Sequence, residues 1–311
     1  MSSMCLVSLV HRSLLQDSTM HSIPSSSRLR HRLSFEAIGT RWHIDTPTHI
    51  PAGAAADIYA AIQAFDQKWS RFRSDSQVSA LRLTVGTLAL DADEYAMWQL
   101  YRQVYDATDS AVSPLVAAAL EASGYDAAYS LTRTAEATAA PDWDDALSLG
   151  HNSLTVHQPT LLDIGAAGKG LLVDRVASLL SNTIDTYTID AGGDIYVAGH
   201  SERIALEHPD NASFAIGVAH VADSALCGSA PNRRTWADTH HIIDARSGVS
   251  TTHIAATWTL AATAMAADLA TTTLFFLPPE STQQLIPCQP VVMNTNGQLR
   301  YTTNKDMEIY A

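Results

Sequence analysis

The amino-acid sequence predicts an α+β fold in which helices pack against a mixed, mainly antiparallel sheet. Segments with apolar residues at helical spacing and short strand-like runs follow each other without strict alternation, so a doubly wound parallel sheet is not favoured. The chain has 311 residues, of which 46% are hydrophobic, and this is enough for a substantial core. No internal repeat is visible.

The individual elements follow from hydrophobic periodicity and from the residues that interrupt it. Helices are predicted over residues 54–72, 91–105 and 265–276, and one more helix carries the apolar stripe Leu172, Val176 and Leu179. Strand-like runs lie at 33–44 with an interruption at 39–40, at 154–156 and 161–162 as a hairpin, on both sides of 190–194, at 214–219, at 254–260, and at 290–302 as a terminal hairpin.

The first 32 residues differ from the rest in composition. They are rich in Ser and Arg, and we expect residues 1–32 to be a disordered tail and residues 33–311 to form one domain. A targeting signal is the alternative interpretation of this tail. No apolar run reaches the length of a membrane helix, and the three cysteines are too scattered for a disulfide framework or a thiolate zinc site. We therefore expect a cytoplasmic location, which leaves a membrane-associated target possible.

The net charge of −13 constrains the ligand. An acidic chain repels the phosphates of nucleic acid, so we expect no nucleic-acid partner. An anionic ligand would need a local positive site or a metal ion.

One segment, residues 162–174, provides such a site. It places Lys169, one of only three lysines in the chain, between Gly168 and Gly170 at a strand-to-helix junction. Backbone N–H groups at a helix start favour an anion, and glycines allow the ligand to approach closely. The spacing fits neither a Walker A loop nor a dinucleotide fingerprint. A phosphate or pyrophosphate site and a plain Gly-rich turn with an exposed lysine both remain compatible with the segment.

Four further segments accompany this motif in order along the chain: 38–40, 191–194, 241–248 and 267–272. Together they make the sequence resemble the ApbE family of FAD:protein FMN transferases from about residue 35 to 277. The resemblance implies an ApbE-like fold and a reaction on FAD that depends on Mg²⁺. The FMN half of FAD is transferred to a threonine or serine hydroxyl of a target protein, usually an electron-transfer flavoprotein, and AMP is released. Some members hydrolyse FAD to FMN and AMP instead.

The resemblance also implies which residues carry out the reaction. The metal ligands would be Asp268 and Thr272, which a helix presents on one face, the carbonyl of Ala166, and Thr271 beside the pair. Lys169 would stabilise the oxygens of the transition state, with Asp268 as the key carboxylate. His241 would be the base that accepts the proton of the target hydroxyl, because an imidazole titrates near neutral pH. His240 is given no role.

The cofactor contacts implied by the resemblance are spread along the chain. They are Ile38, Phe72, Ala111, Val112, Ser113, Asp163, Lys169, Gly192, Gly193 and Ile242. Asp163 would accept hydrogen bonds from the flavin or the ribose, and its alternative role is to form the turn.

Three departures from the family pattern have expected consequences. Cys227-Gly-Ser229 replaces Thr-Ser-Gly, which puts one hydroxyl contact in doubt. Ala245 replaces a proline and should loosen the loop after Asp244. Ser113 replaces an aspartate, which weakens the assignment of one flavin contact. An active transferase, an FAD pyrophosphatase and a flavin-binding module without turnover are the three functions that remain.

Overall fold

The structure is a computed structural model that describes residues 7–8, 29–237, 239–302 and 305–310. Most of the predicted tail lies outside the described residues. The first long strand begins at His31, inside that predicted tail, because Arg32 pairs with Asp45 of the neighbouring strand through two 2.7 Å hydrogen bonds. No helix in the described part of the chain is both long and apolar enough to cross a membrane.

Of the eight α-helices in the described residues, the four longest fall close to the predicted positions, and the four shorter ones were not predicted. The eight helices are α1 (Ala52–Trp69), α2 (Gln77–Ala80), α3 (Ala92–Ala107), α4 (Ala117–Ala122), α5 (Trp143–Ala146), α6 (Gly168–Ser181), α7 (Ala264–Thr273) and α8 (Pro279–Leu285). Short 3₁₀ turns lie at Pro114–Val116 and Pro231–Arg234.

The strands are more numerous than the sequence predicts. They are β1 (Val7–Ser8), β2 (His31–Ala37), β3 (Thr40–Thr46), β4 (Gly86–Ala89), β5 (Leu147–Gly150), β6 (Ser153–Val156), β7 (Tyr187–Ala191), β8 (Ile195–His208), β9 (Asn211–Ser229), β10 (Thr235–Trp236), β11 (Thr239–His240), β12 (Ile243–Asp244), β13 (Val249–Ser250), β14 (Ile254–Ala261), β15 (Cys288–Asn294), β16 (Leu299–Tyr301) and β17 (Met307–Ile309).

One large sheet organises the described residues, in the order β16-β15-β14-β9-β8-β7-β3-β2, with β1 added to β8 and β17 to β9. Its ladders are antiparallel, which confirms the predicted α+β class with a mainly antiparallel sheet. The predicted hairpin of 154–156 with 161–162 is wrong. Strand β6 pairs instead with β4 and β5, both earlier in the chain, in a separate three-stranded sheet.

The main core lies between the large sheet and the helices. Its fully buried side chains include Trp42, Ile44, Ile58, Met97, Trp98, Leu172 and Ile189. A second cluster, with Ile204, Leu206, Val221 and Trp258, forms where the long β8–β9 hairpin meets β14 and β15. Burial of large apolar side chains at these positions, roughly 1.5–3 kcal/mol for each, holds the helices against the sheet.

A polar network fixes the end of α1, from which the chain enters the candidate site. Asp91 and Glu94 form a capping box at the start of α3. The Glu94 carboxylate, only 2% exposed, also accepts hydrogen bonds from Trp69 Nε1 at 2.8 Å and from Lys68 Nζ at 2.5 Å. The last turn of α1 is thereby tied to α3.

Helices α6 and α7 meet at their first turns. Asp174 of α6 accepts hydrogen bonds from the backbone N–H groups of Ala264 at 2.7 Å and Met265 at 2.9 Å, and so caps α7 from outside. Burial raises the pKa of Asp174 from 3.8 to about 6. Keeping the Asp174 carboxylate ionised in the folded protein therefore costs free energy, and this cost depends on pH.

We expect Asp174→Asn to flatten the pH dependence of stability. Because the folded-state pKa of Asp174 lies above its unfolded value, the folded protein binds more protons between pH 4 and about 6, and its stability falls as pH rises through about 6. The melting temperature of the wild type relative to Asp174→Asn should therefore decrease from pH 5 to pH 7.5. Differential scanning fluorimetry measures this, with the exposed Asp145→Asn as control. Parallel curves for wild type and Asp174→Asn would contradict it.

Candidate functional site

A cavity of about 450 Å³ opens where α1, α6, α7 and the loops after α3, α4 and β11 converge. Twelve of the residues implied by the resemblance line it: Ile38, Phe72, Ala111, Val112, Ser113, Asp163, Ala166, Lys169, His241, Ile242, Asp268 and Thr272. Gly192, Gly193 and Thr271 are not among its lining residues. The segments that carry the motif thus converge on one space, although they span most of the chain.

The contact between α6 and α7 forms the polar end of the cavity. Gly170 N–H donates to Asp268 Oδ2 at 3.0 Å, which joins the glycine motif to a residue 98 positions later. A Cβ on Gly170 would lie 2.7 Å from Met265 N, so only glycine allows this approach. Asp268 is 3% exposed, and its Oδ1 lies 3.9 Å from Lys169 Nζ.

The oxygens at this end fit a hard divalent cation held by few protein ligands. The Asp268 carboxylate lies one helical turn before Thr272, and both line the cavity with Ala166. Within the described ranges, no group of three or more His, Cys, Asp or Glu side chains is arranged to hold a metal ion. Mg²⁺ often takes one or two carboxylates and completes its shell with phosphate and water oxygens, so one carboxylate suits it when a phosphate ligand is present.

Lys169 does not stand alone in the cavity. Its ammonium forms an ion pair with Asp194, whose side chain is completely buried. Asp194 follows the turn of Gly192 (φ 68°) and Gly193 (φ 101°), and Gly193 N–H donates to Asp190 Oδ1 at 2.8 Å. The two glycines therefore shape the turn that delivers Asp194 to Lys169, and the structure does not place them against the cavity.

Thr271 lies behind the residues that line the cavity. Its hydroxyl donates to the Asp268 carbonyl at 2.6 Å and lies 3.0 Å from Ser229 Oγ, while its own carbonyl accepts from Thr257 Oγ1 at 2.8 Å. The completely buried Thr271 thus ties α7 to the sheet, which fits the metal-ligand role less well than the placement of Thr272 does.

Aromatic rings form another part of the cavity lining. Phe72 lies parallel to Tyr129, with ring centroids 5.3 Å apart, and edge-on to Tyr125 at 5.5 Å. The Arg71 guanidinium carbon lies 4.1 Å from the Phe72 centroid and 5.0 Å from that of Tyr125. Such a wall suits a flat aromatic ligand, which would stack on it.

Arg71 is a functional-site residue that sequence reasoning missed. It is 3% exposed, its Nε donates to Asp163 Oδ2 at 2.5 Å, and its Nη1 donates to the Tyr125 carbonyl at 2.8 Å. The other Asp163 oxygen accepts from Gly165 N–H at 2.6 Å. Both Asp163 oxygens are therefore engaged within the protein, which supports its alternative role as a turn former. The only sequence signal for Arg71 was its position directly before Phe72.

Backbone strain accompanies Ile38. Ile38 (φ 45°) and Gly39 (φ 76°) form a two-residue turn between β2 and β3, with Ala37 paired to Thr40. A β-branched residue in the left-handed region is unfavourable by about 1–3 kcal/mol, and such strain is concentrated at binding sites. Here it places Ile38 in the cavity wall.

The two adjacent histidines have different environments. His241 lines the cavity, with its ring centroid 6.5 Å from that of Tyr125. His240 Nε2 lies 2.6 Å from the Thr251 carbonyl, and its Nδ1 accepts from Ile242 N–H at 3.2 Å. Burial lowers the pKa of His240, so it is a neutral structural residue beside the candidate base.

The expected loosening after Asp244 is wrong. Ala245 is 2% exposed, its N–H donates to the Ala111 carbonyl at 3.0 Å, and its carbonyl accepts from Ala140 N–H at 2.7 Å. A proline could not make the first of these bonds. Ala245 therefore anchors the His241 loop to the Ala111–Ser113 segment.

The other two departures are accommodated locally. Ser113 accepts from Leu115 N–H at 3.2 Å and caps the 3₁₀ turn, as an aspartate would. The Cys227 thiol points to the Ala264 carbonyl at 3.6 Å, whereas Ser229, two residues later, lines the cavity. The segment therefore still presents a hydroxyl to the ligand space.

Comparison with known proteins agrees with this geometry. The ApbE family model matches residues 38–293, and the chain belongs to this family. Similar folds are the flavin transferase ApbE from Vibrio cholerae (19% identity, TM-score 0.71, 89% of this chain and 97% of that one) and the ApbE protein from Thermotoga maritima (19%, 0.71, 88% and 96%). The apo flavinyl transferase ApbE of Pseudomonas stutzeri is another (18%, 0.70, 89% and 95%). No curated protein sequence matches significantly.

We expect Arg71→Met to destabilise the protein by about 3 kcal/mol, the typical cost of breaking a buried ion pair from one side. The substitution leaves Asp163 Oδ2 and the Tyr125 carbonyl without their donor. Urea unfolding followed by tryptophan fluorescence gives the free energy of unfolding. The control is Arg73→Met, whose ion pairs with Asp66 and Asp75 are partly exposed and should matter far less. Equal losses in the two variants would show that Arg71 has no special structural role.

Proposed function

We propose that the chain is an FAD:protein FMN transferase that depends on Mg²⁺. It would transfer the FMN half of FAD to a threonine or serine hydroxyl of a target protein and release AMP. The observation that carries the proposal is a single cavity with an aromatic wall at Phe72 and a charged end at Lys169 and Asp268. FAD also combines aromatic and charged parts, because a pyrophosphate links its flavin ring to its adenine ring. The named flavin transferases that share the fold support the proposal.

The protein groups would act on FAD in distinct ways. The aromatic wall and Ile38 would hold the flavin ring, and the positive end of the α6 dipole, with Lys169, would face the pyrophosphate. Lys169 would stabilise negative charge on the phosphoryl oxygens during transfer. His241 would take the proton from the attacking hydroxyl.

Asp268, Thr272 and the Ala166 carbonyl would hold the metal. A divalent cation bound there would neutralise pyrophosphate charge and make the phosphorus more electrophilic. That all three residues line the cavity supports this assignment.

The target protein would bring its hydroxyl to the cavity mouth. By family resemblance we expect an electron-transfer flavoprotein, and we expect the reaction to occur in the cytoplasm. Hydrolysis by water, which gives FMN and AMP, is the same chemistry with another nucleophile and is one outcome of the test below.

Mass spectrometry distinguishes the three functions directly. The protein is incubated with FAD, Mg²⁺ and a candidate flavoprotein, and the products are identified. FMN linked to a threonine or serine of the target supports the proposal. Free FMN and AMP alone would indicate a pyrophosphatase, and intact FAD would indicate binding without turnover.

We expect Asp268→Ala to lower the transfer rate about a hundredfold while the fold survives. The remaining proposed ligands are neutral and would hold Mg²⁺ weakly, and a loss of ~3 kcal/mol in transition-state stabilisation corresponds to roughly this factor. The rate of FMN transfer is measured against Mg²⁺ concentration. Asp268→Asn, which can still accept from Gly170 N–H, separates loss of charge from loss of the helix contact, and exposed Asp145→Ala is the surface control. Wild-type turnover with unchanged Mg²⁺ dependence in Asp268→Ala would refute the assignment.

A further inference from the structure

Asp194 is a buried carboxylate to which neither the sequence motif nor the proposed reaction gives a role. It is 0% exposed, at the end of the Gly192–Gly193 turn. Within the described residues, its carboxylate forms an ion pair with Lys169, and neither carboxylate oxygen has any other hydrogen-bond partner. A carboxylate taken out of water is costly unless a cation compensates it, so this pair has to be maintained in the folded protein.

Lys169 lies between two carboxylates. Asp194 forms the close ion pair, and Asp268 Oδ1 lies 3.9 Å away on the opposite helix. The two carboxylates compete for one ammonium group. If the Lys169 ammonium stays with Asp194, the Asp268 carboxylate remains available to another cation.

We propose that Asp194 is a positioning residue that holds Lys169 back from Asp268 and so keeps the Asp268 carboxylate open to a divalent cation. The inference rests on the proposed function, because it concerns the metal and pyrophosphate end of that site. A lysine and a divalent cation repel each other at short range. The negative charge of Asp194 offsets this repulsion and allows both positive charges to face the same phosphates.

Loss of the Asp194 charge should weaken the binding of a divalent cation. In Asp194→Asn, the Lys169 ammonium loses its main partner and should move to Asp268, where it competes with the metal. Divalent-cation affinity should therefore fall by about tenfold, equivalent to ~1.4 kcal/mol. Removal of Lys169 as well, in Lys169→Met/Asp194→Asn, should restore cation affinity to near the wild-type value, although FMN transfer stays slow because the ammonium is missing.

Direct cation binding is the main readout. Mn²⁺ is titrated into each variant in the presence of ADP, and free Mn²⁺ is followed by electron paramagnetic resonance. FMN transfer against Mg²⁺ concentration is measured in parallel. Asp190→Asn is the matched control, because it changes a half-buried aspartate of the same turn that caps Gly193 N–H and should leave Mn²⁺ affinity near the wild-type value.

The double variant tests the proposal even if Asp194→Asn is too unstable to study. It removes both charges of the Lys169–Asp194 ion pair and should therefore fold. Wild-type Mn²⁺ affinity in the double variant supports the proposal. Weak Mn²⁺ binding in a folded double variant overturns it, and would indicate that Asp194 acts on the metal directly. Unchanged Mn²⁺ affinity in a folded Asp194→Asn also overturns it. The binding assay needs no turnover, so failure of FMN transfer in the wild type would count against the proposed function alone.

Discussion

The site depends on one close contact between two helix backbones. Gly170 lets the first turn of α6 lie against Ala264 and Met265 at the start of α7, where a side chain would overlap both residues. This contact lets Gly170 N–H reach Asp268 and lets Asp174 cap α7. The two segments are about a hundred residues apart in sequence. Their register on each other sets where the ammonium, the carboxylate and the helix N–H groups lie.

The charges of the cavity are balanced in pairs. The chain has a net charge of −13, yet the buried Arg71 and the half-buried Lys169 border the ligand space. Lys169 is paired with Asp194, and Arg71 with Asp163. A bare phosphate would have to compete with these carboxylates for the cations. A pyrophosphate that arrives with a divalent cation brings its own compensating charge, so this arrangement favours a metal-complexed ligand over a free anion.

Long elements with strong periodicity could be predicted from the sequence. Helices α1 and α3 each bury a stripe at helical spacing, and α6 and α7 carry family motifs. These motifs identified most of the residues that meet in the cavity. The small sheet of β4, β5 and β6 was missed because its four-residue strands carry little pattern, and because β4 pairs with a strand that begins 64 positions after its own last residue, Ala89. Arg71 was missed for a related reason, since its partner Asp163 lies 92 positions away. An ion pair leaves no local trace in the sequence.

Ala245 shows why a departure from a family pattern cannot be interpreted from conformational preference alone. A proline would restrict the backbone by its ring, and its absence suggested a looser loop. The alanine restores a backbone donor instead, and that N–H holds the Ala111 carbonyl at 3.0 Å. The hydrogen bond links the loop of His241 to the segment of Ala111, Val112 and Ser113, which line the same cavity. A covalent constraint within one loop is thus replaced by a hydrogen bond between two loops, and the candidate base remains fixed relative to the ligand space.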